Sequence, residues 1–181
     1  MPEKEDTMGK TMMAMALAMF VVAAVDVRTQ SRLDDGQILA LFDEANTVDI
    51  WTARLAMSRS QSADVRRLAS MVIADHEAVQ HSARELAKKL HITPTPPADD
   101  NSAEALAAAV KELQSKGSAE FDRAYLAHEL AFHRSAIDAV RGTLLPAARN
   151  VELKALLKNV LGGFEHHLAE TRRVAGALGV R

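Results

Sequence analysis

Residues 65–90 read VRRLASMVIADHEAVQHSARELAKKL, and the recurrence of apolar residues within them decides the fold. Val65, Ala69, Val72, His76, Val79, Ala83, Leu86 and Leu90 are spaced by three and four, which places them on one face of a helix. Every member of that seam is apolar except His76. Two further stretches repeat the pattern: Leu126, Leu130, His133, Ile137, Val140, Leu144, and then Leu153, Leu157, Val160, Phe164, His167, Thr171, Val174, Leu178. A buried imidazole without a partner costs about 1–3 kcal/mol. Histidines at the centre of three separate apolar seams therefore require a common explanation.

Working outward from these seams, the remainder of the chain also reads as helix. Asp34 or Asp35 can cap a helix from about Gly36 to Met57, with Ile38, Leu41, Ala45, Val48, Thr52 and Leu55 as its inward stripe. Ser62 caps the next helix, which extends to about His91. Pro94, Pro96 and Pro97 exclude regular helix from 92–101 and make that stretch an extended connector. Ser102 then opens a short alanine-rich helix to about Ser115, ended by Gly117. A fourth long-range element runs from Ser118 to Leu145, where Pro146 follows, and the last helix from about Ala148 to Leu178. No strand-like alternation bounded by hairpin turns occurs, so the expected class is an all-α bundle.

The connections predict the threading. The turns after Met57 and after Leu145 are short and make antiparallel pairs, whereas 92–117 is long enough to cross the whole bundle. Such a crossing makes the second and third long helices parallel. Measured from the end where the first two meet, Asp49 then lies about 9 residues down, His76 about 14, His133 about 15 and His167 about 11. At about 1.5 Å per residue these four fall within roughly 9 Å along the axis. Plain up-down-up-down threading would move His167 to about 19 residues. The shared depth favours the long crossover of ferritin-like four-helix bundles, here with a short extra helix inside the crossover.

Composition narrows the function. With 181 residues, 48% hydrophobic content and a formal charge of −2, the chain suits one globular domain. Trp51, Tyr125 and five phenylalanines are its whole aromatic complement, and no Lys/Arg cluster forms a stripe, which argues against nucleic acid as a partner. Cysteine is absent, which removes thiolate nucleophiles, iron–sulfur clusters and disulfides. Thr11 to Val25 is an apolar run of about signal length, too short for a comfortable membrane span, and Val22-Ala23-Ala24 offers small residues for cleavage. Residues 1–25 are therefore expected to be a signal peptide or an N-terminal anchor, despite acidic Glu3, Glu5 and Asp6. Either places the rest in the periplasm or another extracytoplasmic space, with membrane contact only through that segment if it stays uncleaved. Six of eight methionines lie there, leaving Met57 and Met71, too few for a methionine-rich copper(I) carrier.

Several elements together resemble a known family: Leu33-Asp-Asp-Gly-Gln-Ile-Leu-Ala-Leu, Ala45-Asn46, Arg67-Leu-Ala-Ser-Met-Val-Ile-Ala-Asp75-His76, Phe121-Asp122-Arg-Ala-Tyr125-Leu, His133 and His167-Leu168. Over about residues 33–178 the chain is similar to the DUF4142 family, exported bacterial proteins placed among ferritin-like four-helix bundles. The resemblance implies a fold and a location and brings no biochemical activity. Asp49 stands where the family more often shows glutamate, and Gly162-Gly163 where a proline is common. The shorter aspartate has less reach toward a shared ligand, and the glycine pair predicts a kink or a close helix approach near His167.

Three neutral imidazoles and a carboxylate meeting on a bundle axis would satisfy zinc, or iron, manganese or cobalt with added water. The candidate ligands are His76, His133, His167 and Asp49. Asp75, Glu129 and Glu165 are candidates for orienting the imidazoles from outside, although Glu129 and Glu165 also suit a solvated flank. A buried polar network that only fixes helix register reads the same residues equally well, and a small organic ligand or haem remains open. No glutamate is followed three residues later by histidine, so the di-iron signature of ferritin-like oxidases is missing and no catalytic residue is nominated. His81, His91, His128 and His166 lie off the seams and read as surface imidazoles; His166 would replace His167 if its helix were rotated by one position. Asp122 and Tyr125 are expected to pack near the start of their helix. A homo-oligomer is compatible with the sequence, which does not specify it.

Overall fold

The computed structural model describes residues 33–180; the signal or anchor expected over residues 1–25 lies outside the described residues. The elements are α1 (Asp35–Arg59), α2 (Ala63–Lys89), α3 (Ser102–Ser115), α4 (Ser118–Ala139), a π-helical turn (Val140–Leu144), α5 (Leu145–Ala147) and α6 (Val151–Ala177). No strand occurs among the described residues, and no helix among them is long and apolar enough to cross a membrane.

Local chemistry sets the ends. Asp34 is the N-cap of α1: its Oδ1 accepts from the Gln37 N–H at 2.8 Å while Gln37 Oε1 accepts from the Asp34 N–H at 3.1 Å. Ser62 Oγ caps α2 through the Val65 N–H, and Asn150 Oδ1 caps α6 through the N–H groups of Glu152 and Leu153. α2 stops because His91 adopts a left-handed conformation, φ 54°, which lets the Ile92 N–H turn back to the Ala87 carbonyl at 3.0 Å.

Contacts at the two ends of α1 fix the threading. Near its start, the Thr95 N–H donates to the Gly36 carbonyl at 3.4 Å, and a side chain at Gly36 would crowd the Thr93 carbonyl oxygen at 3.2 Å. Near its finish, the Arg59 guanidinium donates to the carbonyls of Gln114 and Lys116 at 2.8 and 2.7 Å. The connector and α3 thus travel the length of α1, roughly 37 Å at 1.5 Å per residue. α2 and α4 consequently start at the same end and run parallel. Asp35 closes the other end, its carboxylate accepting from the Arg149 and Asn150 N–H groups at 2.7 and 2.9 Å and holding the start of α1 beside the start of α6. The topology is the ferritin-like four-helix bundle with the long crossover that the connection lengths predicted.

The seams of α2, α4 and α6 form the core, with Val65, Ala69, Val72, Leu126, Leu153 and Leu157 fully buried. Each large aliphatic among them contributes about 1.5–3 kcal/mol. Of the stripe expected on α1, Ile38, Val48 and Thr52 are buried while Leu41, Ala45 and Leu55 are half-buried; the inward face is wider than that stripe and also takes in Phe42, Asn46, Asp49, Ala53 and Ala56. Helix also continues past Leu145, where Pro146 was expected to end it. A proline ring collides with the carbonyl four residues back in a regular α-helix. Here the preceding turn widens, the Leu145 N–H reaching the Val140 carbonyl five residues back, and Pro146 then sits in the first turn of α5. α6 runs unbroken through Gly162-Gly163, and an added Cβ at either would meet nothing within 4 Å, so the pair serves no close helix approach.

Candidate metal centre

Each long helix delivers one side chain to the same depth: Asp49 from α1, His76 from α2, His133 from α4 and His167 from α6, all at most 1% exposed. His76 Nε2 lies 3.3 Å from His167 Nδ1, and His133 Nε2 lies 3.2 Å from the same atom. Asp49 Oδ2 is 2.9 Å from His76 Nε2 and 3.5 Å from His133 Nε2, so the shorter aspartate reaches two of the three imidazoles; among the described residues the sets close enough to share one ion are His76, His133 and His167, and Asp49, Glu129 and His133. Phe164 stacks on His76 with ring centroids 5.3 Å apart, and Phe132 meets His133 edge-on at 5.4 Å, which lines the cluster with apolar surface.

The outward nitrogens decide where the protons are. Asn46 Nδ2 donates to the Phe42 carbonyl at 2.6 Å, which turns Asn46 Oδ1 toward His76 and obliges His76 Nδ1–H to donate to it at 2.9 Å. His133 Nδ1–H donates to the Glu129 carbonyl at 3.1 Å, and His167 Nε2–H donates to Asp75 Oδ2 at 2.9 Å. All three outer partners are acceptors, so each neutral imidazole spends its one proton outward and presents a bare lone pair inward. Three lone pairs and a carboxylate then face one another with no donor between them. A tetrahedral ion with bonds of about 2.0–2.1 Å spaces its ligand atoms by roughly 3.3 Å, which matches the nitrogen spacings here. Second partners that fix the tautomer of each imidazole are what metal-bound histidines have.

Electrostatics point the same way. Burial lowers the His133 imidazole to about 4 and lowers His167 as well, keeping both neutral near pH 7. For Asp49 burial pushes upward, but positive charge on the facing His76 and His133 would outweigh it and hold the carboxyl below the usual range; with those rings neutral, that charge has to come from a cation in the same place. Neither Asp49 oxygen accepts a hydrogen bond; Oδ2 approaches His76 Nε2 without the alignment one needs. An ionised, fully buried carboxylate whose oxygens accept no aligned hydrogen bond is costly unless a cation completes it.

Asp75, half exposed, accepts from His167 Nε2, which is where a residue orienting that imidazole would sit. Glu129 is fully buried rather than a solvated flank, and it orients His133 through its backbone carbonyl. Its carboxyl groups with Asp49 and His133 inside the core, Oε2 lying 3.5 Å from His133 Nδ1, and burial together with Asp49 raises it well above the normal range. Glu165 does not orient His167: it is exposed and paired with Arg141. His166 is exposed too, so α6 has the rotation that points His167 inward. His81 and His91 are at the surface as expected, but His128 is half-buried with Nε2 unpartnered. Asp122 is half-buried and Tyr125 fully buried, in line with their expected packing. Asn46, one position from the expected stripe residue Ala45, was missed because that stripe was narrower than the buried face of α1.

Comparison with known proteins agrees with the fold. The family described as "Domain of unknown function (DUF4142)" matches residues 22–174. A crystal structure of a DUF305 fragment from Deinococcus radiodurans is similar in three dimensions, with a TM-score of 0.68 and 17% sequence identity over 78% of this chain and 95% of that one. No curated protein matches.

Proposed function

The chain belongs to the DUF4142 family of domains of unknown function, and from that premise we propose that it is a metal-binding helical bundle holding one divalent cation through His76, His133, His167 and Asp49. The observation that carries the reading is the orientation of the three imidazoles, each with its N–H spent on an outer acceptor and its lone pair turned inward. Three neutral nitrogens and one carboxylate leave a divalent ion with a net charge of +1, a tolerable charge for a buried centre. The donor set suits zinc best, with iron or manganese as alternatives that add water. The apolar run Thr11 to Val25 supports an extracytoplasmic place of work.

The test is metal analysis of the chain purified without a histidine tag, beside His133→Ala. One ion per chain in the parent and none in the variant is the expected result. A metal-free parent that stays equally stable with and without chelator refutes the reading and leaves the cluster as a register-fixing polar network.

A further inference from the structure

A cleft of about 390 Å³ opens between α2 and α6, and its lining includes Asp75, His76 and His167. Two of the four cluster residues thus form the floor of a surface feature, while Asp49 and His133 lie behind them. Asp75 differs from the others in exposure: its side chain is 54% exposed, whereas those of His76, His133, His167 and Asp49 are at most 2% exposed. It is therefore the carboxylate that touches both solvent and the cluster. The contact from Asp75 on α2 to His167 Nε2 on α6, 2.9 Å long, bridges the two walls of the cleft.

Gly163 lines the same cleft, one turn before His167 on α6, and an added Cβ there would meet nothing within 4 Å. Asn159, a further turn back, is exposed on the same wall. A bulky side chain at either position would fill the cleft without touching the core. We propose that the cleft between α2 and α6 is the portal through which a hydrated divalent cation enters and leaves the centre, with Asp75 as the carboxylate that captures it and His167 as the ring that swings to admit it. This rests on the metal-binding reading and deepens it: the centre is an exchangeable site, one that takes up and gives back its ion, rather than a permanently sealed structural one. The Asp75–His167 contact is the solvent-facing one across the walls, with the His76–His167 contact behind it, and it is what must open. Phe164 lines the same cleft, stacked on His76, while Phe132 meets His133 edge-on.

The test follows Co²⁺ uptake by the metal-free full chain, using its visible absorption in a stopped-flow instrument, and its removal by a chelator. Gly163→Leu and Asn159→Trp each block the cleft. Both are expected to slow uptake and release by about tenfold, as closing a gate does, with one ion still bound per chain at the end. Asp75→Asn is expected to slow uptake by about tenfold at low salt and to weaken its salt dependence, because the steering charge is gone. Unchanged rates in both folded cleft variants overturn the portal while leaving the centre intact. A parent chain that binds no Co²⁺ overturns the metal reading itself, and the portal with it.

Discussion

Asn46→Ala separates a metal centre from a polar network more sharply than removal of any histidine. In the parent, Asn46 Oδ1 takes the Nδ1 proton of His76 and thereby frees Nε2 for an ion. Without it, the metal-free chain is left with a buried N–H lacking an acceptor, a loss of about 1–3 kcal/mol on either reading. The readings part when metal is added. Losing a group that orients a metal-bound histidine weakens affinity about 10–100-fold. At free metal of about 100 times the parent dissociation constant, the parent gains about 2.7 kcal/mol, while a variant weakened about thirtyfold gains about 0.9 kcal/mol. For a domain of this size each kcal/mol moves Tm by about 2–4 °C. Calorimetry in buffered zinc and in chelator should give a metal-dependent rise of about 8 °C in the parent and about 3 °C in Asn46→Ala. An equal rise in both refutes the claim that Asn46 holds His76 ready for an ion.

Two pH predictions follow from the buried titrating groups of the metal-free chain. His133 is lowered to about 4 in the folded state against about 6.5 unfolded, so its contribution is fully present above about pH 6.5 and falls away by about 3 kcal/mol as pH drops to 4. Glu129 is raised, so its contribution has the opposite sign: it is present below about pH 4.5 and is lost as pH climbs. The two oppose each other between about pH 4.5 and 6.5 and should flatten the parent's profile there. Glu129→Gln removes one of them. Urea denaturation should then show stability rising with pH from about 4 to 6.5, and a variant more stable than the parent at pH 8 but not at pH 4. A variant no more stable than the parent at pH 8 contradicts the burial of a neutral Glu129.

The bundle and the meeting of three histidines were legible because both depend on periodicity and on segment length, which a sequence carries directly. The seam through His76 needs only spacing, and the parallel course of α2 and α4 needs only a connector too long for a turn. What was illegible depends on the rotation of a helix about its own axis. On α1 the buried face is wider than one stripe, so the expected line through Ala45 and Val48 passed beside Asn46 while still keeping Asp49 in view. Glu129 and Glu165 looked alike beside their histidines, four and two residues away. The i,i+4 spacing puts Glu129 on the buried face with His133, whereas a spacing of two swings Glu165 out to Arg141. Pro146 misled for another reason: a widened turn absorbs a residue that a regular helix would reject, and no residue pattern announced that turn.

The four inward donors are strung between positions 49 and 167, one on each long helix. No fragment of the chain, whether still emerging during synthesis or clipped afterwards, can assemble more than part of the quartet. On the metal-binding reading, a complete set of donors therefore exists only once the final helix has docked. With an exchangeable site, as proposed, an ion found inside would report the surroundings of the finished fold and not those of its synthesis.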